Sequence, residues 1–193
     1  MIDKALEVLA KGIQEYLVRL PDLNINSQET AKVTHIVKAD GSLEIPSDSI
    51  GLCLVNVEEE RVIKSQYAVM PSDDGTRISH INPDIKLNLF VLIAAHFTTY
   101  QTGLKFLSGA IQFFQSKNVF TRQNTPNMDR YLEKLVVELY SLNFEQQNHL
   151  WGALGAKYLP SVLYKVRIVV VDEQTAIDDQ RPIKAVNTIY KGM

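Results

Sequence analysis

Four histidines, one cysteine and several adjacent carboxylates are the residues of this chain whose types could carry chemistry. His35, His80, His96 and His149 stand far apart, and none has a second His or Cys at a helix or turn spacing that would hold zinc. The plainer reading puts His96 at a strand end and His149 on a helix surface. Glu58, Glu59 and Glu60 could supply a carboxylate pair for acid and base work, but they fit a solvated strand end better. Asp73-Asp74 and Asp178-Asp179 lack further oxygen donors at calcium-loop spacing and read as loop charges. Cys53 makes no internal disulfide and lies in the apolar run LCLV, where cysteine behaves as a small hydrophobe. No GxSxG elbow, GxxxxGK loop or GxGxxG turn occurs, so nucleophilic hydrolysis, P-loop chemistry and dinucleotide binding lack their usual local geometry. No metal or cofactor is expected.

The elements that would position these residues follow from periodicity. Ile2, Leu6, Leu9, Ile13, Leu17 and Leu20 form one helical stripe, with Asp3 at its positive end and Pro21 as its stop. Ala31 to Ala39 alternates Val33, His35 and Val37 against Thr34, Ile36 and Lys38 as a strand does, and Asp40-Gly41 marks a turn. Ile50 to Lys64 is a second strand whose charged middle implies an extension beyond the core. Met70 to Lys86 is the longest polar connection, of the kind that carries contacts. Leu87 to Phe97 is almost continuously apolar and predicts a central strand covered on both faces.

Thr98 or Thr99 can cap a helix running to about Lys117, with Leu104, Leu107, Ile111 and Phe114 on one stripe and Phe106, Ala110 and Phe113 beside it. That apolar face is wider than one sheet needs; burial by its own chain is favoured over a neighbouring subunit. Val119 to Thr121 reads as a short strand, and 122–129 as a polar loop. Leu132 to Leu142 fits both periods, but adjacent Val136 and Val137 favour a strand, and Asn143 with Gln146 resembles a capping box opening a new helix at Phe144. That helix ends at Gly155 and is anchored in the core by Trp151 with Phe144, Leu150 and Leu154; stacking on a ligand is the lesser role for the indole. Ser161 to Asp172 is the last core strand. The fold class expected is α/β of the α+β kind: one domain over 1–172 with a mixed sheet, an N-terminal helix, a central apolar helix and a short Trp-bearing helix, then a C-terminal arm over 173–193.

The bulk numbers fit this. The chain has 193 residues, enough for one domain with a sizeable core. At 46% hydrophobic and 22% charged it has the balance of an ordinary globular protein. A net charge of −2 leaves no basic footprint for nucleic acid. The first twenty residues keep charges throughout, unlike a signal peptide, and no apolar run approaches the ~20 residues of a membrane span. A reducing, cytoplasmic site of synthesis fits the single cysteine.

The run 144–168, FEQQNHLWGALGAKYLPSVLYKVRI, together with NLFVLIAAHF at 88–97 and LKFLSGAIQFFQSKNVF at 104–120, resembles the tail-terminator, or cap, proteins of phage-tail-like contractile injection systems of the antifeeding-prophage and virulence-cassette type. The likeness extends from Met1 to about Asp172, and its most specific parts are Leu150-Trp151, Pro160-Ser161 and Tyr164-Lys165-Val166-Arg167. It implies a non-enzymatic α/β domain that caps sheath and inner tube as a homo-oligomeric ring of six, ending tail growth. The growing end of a tube leaves one face unpaired until a closed ring covers it. Such a part is made in the cytoplasm and leaves the cell as part of a released particle. The polar loops and the arm then supply interface candidates: Asp74, Arg77, Asn82, Arg122, Asn124, Asp129, Ile189 and Tyr190. Two other readings stand beside this one: a baseplate or tube-end adaptor of the same machine, and a small-molecule-binding or enzymatic domain using His96 or His149.

Overall fold

A computed structural model describes residues 1–23, 30–60, 68–71, 78–81, 86–126, 128–130, 132–170 and 178–180; for 68–71, 78–81, 169–170 and 178–180 the description is of the backbone. In chain order the elements are α1 (Ile2–Leu17), β1 (Ala31–Val33), β2 (Ser49–Glu59), β3 (Ala68–Pro71), β4 (Ile78–Ile81), β5 (Lys86–His96), α2 (Tyr100–Ser116), β6 (Val119–Thr121), β7 (Leu132–Tyr140), α3 (Phe144–Leu154), β8 (Ser161–Val170) and β9 (Asp178–Gln180). Six strands form one mixed sheet in the order β1-β2-β5-β8-β7-β6, parallel only between β1 and β2. The expected α+β class holds.

β5 is the central strand its apolar run predicts. Leu89, Val91, Ile93 and Ala95 join the larger core cluster with α1 and α2, while Phe90, Leu92 and Ala94 join the smaller one with Trp151. Because side chains alternate across a strand, both faces of β5 are apolar, and a continuous hydrophobic run results. α1 buries Ala5, Leu6, Leu9, Ala10, Ile13 and Leu17, the predicted stripe, and its helix proper ends before Leu20.

α2 starts after Thr99 at the expected cap position, though Thr99 makes no side-chain cap bond. Its apolar excess is buried by its own chain, against α1. The buried face is Gly103, Phe106, Leu107, Gly109, Ala110, Phe113 and Phe114, so the stripe is rotated from the one expected: Leu104 is exposed and Ile111 half-buried. Two glycines set the spacing of the helix pair. A Cβ on Gly109 would lie 2.5 Å from Leu17 Cδ2, and one on Gly12 would lie 2.6 Å from Phe113 Cζ. Phe113 and Phe114 stack with Tyr16, Phe120 and Tyr164 at centroid separations of 4.7 to 6.4 Å. Burial among these rings pushes the Tyr164 phenol up to about 12.

Three expectations are corrected by the tertiary structure. The strand begun at Ala31 stops at Val33; the chain then crosses the sheet edge, so that Ala31 belongs to the α1 side while Ile36 and Ile45 pack with Trp151 on the other. Val37 bridges Leu43 around the Asp40-Gly41 turn, where Gly41 takes φ of +81°. The polar connection 70–86 carries strands: β3 and β4 pair antiparallel, and β9 from the arm adds to β4 as a third strand. Phe144, expected in the core, is 91% exposed, and Trp151 is the buried residue of α3.

The second strand, expected over Ile50 to Lys64, ends at Glu59 with Glu60 outside it, and 61–64 lie outside the described residues. β6 and β7 lie where they are predicted. At α3, Gln146 N donates to Asn143 Oδ1 at 2.8 Å and Asn143 N donates to Gln146 Oε1 at 3.0 Å, the reciprocal capping box. Gly155 closes the helix with φ of +66°.

Candidate functional site

The residues with chemical potential do not converge. His96 ends β5 half-buried, its Nδ1 2.8 Å from the Ile45 carbonyl oxygen. His35 and His149 are exposed on separate elements, and the side chain of His80 lies outside the description. Among the described residues no group of three or more His, Cys, Asp or Glu is placed to hold a metal. Cys53 is buried, and desolvation pushes its thiol up, so it stays protonated at neutral pH. Glu58 and Glu59 are exposed, but Glu60 is partly buried: its carboxylate accepts from Asn88 Nδ2 at 3.0 Å and lies 3.9 Å from Lys165 Nζ. The acidic run therefore ends in an ion pair with Lys165. Asp178 and Asp179 lie in β9, whereas Asp73 falls outside the described residues.

The interface candidates divide. Asp74, Arg77, Asn82, Ile189 and Tyr190 lie outside the described residues. Asn124, in the loop after β6, turns back on its own strand: its Nδ2 donates to Val119 O and its Oδ1 accepts from Thr121 N, each at 3.0 Å. Phe120 pairs with Leu135 of β7 and Val137 N donates to Asn118 O, so Val119 and Thr121 turn their backbone groups to the free side of the sheet, where one amide takes Val119 O and Thr121 N. Sealing of this kind protects an edge against adventitious strand addition. Arg122 likewise ties down its loop, donating through Nε to Leu132 O at 3.3 Å and through its guanidinium to Arg130 O. Asp129 lines a groove of about 330 Å³ between α1 and this loop, together with Lys4, Lys11 and Lys117.

What the sequence does not reveal is an apolar rim. Tyr100, Leu104, Leu139, Tyr140, Phe144 and Tyr158 are all exposed large hydrophobics. Strand register gathers them at one end of the sheet: Ser49 stands opposite His96, Ala94 opposite Ser161, and Tyr140 opposite Leu163. Local bonds tie the elements together at that end. Ala95 N donates to Pro160 O at 2.9 Å, and Thr98 N donates to the Asp48 carboxylate at 3.0 Å, with Asp48 held at φ of +58°. Tyr158 packs edge-on to Trp151 with centroids 5.5 Å apart, and Tyr140 does the same to Phe90 at 5.1 Å. Exposed apolar groups gathered on firm elements are a feature of protein contact surfaces.

Comparison with known proteins gives this surface a context. Two of the solved structures that match show the same fold. One is the PVC sheath/tube terminator of an extracellular contractile injection system in its extended state, at TM-score 0.65 and 12% identity, covering 100% of this chain and 64% of that one. The other is the tube-terminating cap of the anti-feeding prophage, at TM-score 0.61 and 12% identity, covering 98% of this chain and 61% of that one. The chain thus spans less than two thirds of the length of the structures it matches. No match was found among curated protein sequences. The family model described as the Pvc16 N-terminal domain matches residues 5–185, and the chain belongs to that family.

Proposed function

We propose that this protein is a structural assembly component that caps the sheath and inner tube of a contractile injection particle and ends tail growth as a ring of six copies, without catalytic activity. The observation that carries this reading is the agreement in fold along the whole chain with a sheath/tube terminator and with a tube-terminating cap, inside a family match over residues 5–185. The physical logic is that of a tube whose subunits repeat through heterologous contacts: its last layer always exposes one unsatisfied face, and a closed ring covers that face without regenerating it. Such a part needs surfaces, and the exposed apolar residues at that end of the sheet are candidates for one. The polar segments bearing Asp74, Arg77 and Asn82, and the arm bearing Ile189 and Tyr190, are the further contacts proposed with sheath and tube proteins. Synthesis and assembly take place in the cytoplasm, and release takes the particle outside the cell.

The test is genetic and visual. Cells that produce the particle but lack this protein should yield tails of uncontrolled length or sheaths that fall apart; tails of normal length and stability in its absence defeat the reading. A gold label on the protein should decorate the end of the tail away from the baseplate, and decoration at the baseplate end would reassign it as an adaptor.

A further inference from the structure

The loop that crosses the sheet edge is closed by Val37 bridging Leu43. Within it Lys38 N donates to Ser42 O at 2.8 Å and Gly41 N donates to Lys38 O at 2.9 Å; beyond the bridge Glu44 N donates to Ile36 O at 2.9 Å. These bonds hold Ile36 and Ile45 in the cluster around Trp151. At the tip stands an Asp-Gly step, Asp40-Gly41, with both residues exposed. Glycine has no Cβ to shield its nitrogen, so in such a step the backbone amide can attack the preceding side chain. A second Asp-Gly step, at 74–75, lies outside the described residues.

In that attack a bond forms between Gly41 N and Asp40 Cγ, and the amide hydrogen leaves with the carboxyl OH as water. Water then reopens the cyclic imide; cleavage at the Asp40 main-chain carbonyl leaves Gly41 joined through Cγ, an isoaspartyl link. The carboxyl must be protonated for its oxygen to depart as water. Ser42 opposes this, since its hydroxyl and its backbone N–H donate to Asp40 Oδ1 at 2.6 and 2.9 Å, and these bonds hold the carboxyl below the usual carboxylate range. The attacking N–H is itself engaged with Lys38 O. We infer that Asp40-Gly41 is a site of isoaspartate formation in this chain, and that Ser42 guards it by keeping the carboxylate bonded while the loop is closed. The damage would spread inward. The imide nitrogen carries no hydrogen, so the bond to Lys38 O is lost, and the isoaspartyl link adds one main-chain atom inside the loop that Lys38 and Ser42 close. Ile36 and Ile45 then sit less firmly on the Trp151 cluster. This chemistry is independent of the assembly role.

Ageing the full chain in warm neutral buffer tests it, with isoaspartate at position 40 read by peptide mapping and mass spectrometry. The folded parent should accumulate the product more slowly than the same chain held unfolded in urea. Ser42→Ala, at an exposed position, should keep the parent melting temperature and age about three- to tenfold faster when folded, the factor of one net hydrogen bond. In urea the two chains should age alike. Ser42→Thr, which keeps the hydroxyl, should age like the parent, and Ser42→Val, of similar shape without it, like Ser42→Ala. In the aged fraction the Glu44 amide should exchange faster. A folded parent that ages as fast as the unfolded chain overturns the guard, and Ser42→Ala and Ser42→Val chains no faster than the parent overturn the part given to Ser42. Absence of isoaspartate at position 40 even in urea overturns the site.

Discussion

The two faces of the six-stranded sheet are finished in different ways. Towards α1 and α2, every strand of that sheet contributes to one apolar cluster, closed by a helix pair whose glycines allow near-contact of side chain and backbone. Towards α3, among the described residues, Phe90, Leu92, Ala94 and Leu163 lie with Trp151 near one end, and beyond them the face turns polar, through buried Asn88 and half-buried Lys165 to exposed Arg167 and Glu138. A single strand makes the contrast, because Leu89 is fully buried on one side and its neighbour Asn88 is bonded to Glu60 on the other. One face therefore carries the larger apolar cluster, and the other, among the described residues, combines a short anchor with an exposed charged pair, Arg167 and Glu138.

If that division is right, the largest effect of a single truncation belongs to the helix-covered face. Phe113→Ala removes a ring that touches Gly12, Tyr16, Phe114 and Phe120 and should cost ~3–5 kcal/mol. Urea denaturation reads it as a lowered midpoint with unchanged slope; a cost below ~1 kcal/mol would break the comparison. Trp151→Ala on the other face should cost about 3 kcal/mol, at the lower end of that range, because its cluster is small and Tyr158 beside it is already exposed. Hydrogen exchange sharpens the point: amides of α3 should lose protection while those of α1 and α2 keep theirs, and equal loss in all three helices would mean that the two clusters are one. Asn143→Ala should cost about 1 kcal/mol by removing the cap that accepts from Gln146 N. Its fraying should be confined to the first turn of α3, as read by amide exchange there.

How much of this was legible in the sequence depends on whether a feature is local. The Asn143 and Gln146 box, the Gly155 stop, the short β6 and the continuous run of β5 are written in neighbouring residues, and all of them hold. Features set by what lies across the fold were not legible. Phe144 and Trp151 are seven residues apart, so helical spacing puts them on one face, but Phe144 is about 10 Å further along the axis and lies beyond the cover that buries Trp151. The stripe on α2 is rotated because two glycines without hydrophobic signal sit at its contacts, Gly109 against Leu17 of α1 and Gly103 against Phe97 and Ala95. Ala31 to Ala39 alternates as a strand does, yet the chain passes over an edge, and alternation does not record which face each half serves. Asn124 looks like a contact residue in a polar loop, and only the register of β6 reveals that its amide seals that strand. The apolar rim is likewise invisible until antiparallel pairing brings Tyr100, Tyr140, Phe144 and Tyr158 to one end.

The smallest predicted effect is also the one that bears most directly on the open half of the α3 side. Arg167 pairs with Glu138 across β8 and β7, with the two side chains 45% and 46% exposed. An ion pair so accessible gains little, because water screens it and both side chains lose freedom in forming it, so Arg167→Ala should change stability by less than ~1 kcal/mol. Added salt should shrink the difference further. A cost above ~2 kcal/mol that persists in high salt would mean that the charged patch is a buried network in its own right, and the contrast between a structural face and an available one would fail. A near-zero cost in the isolated protein, joined to weaker seating of Arg167→Ala on tail ends, would instead assign the patch to contacts outside the chain, since a residue that contributes almost nothing to folding can lose function only through what it touches elsewhere.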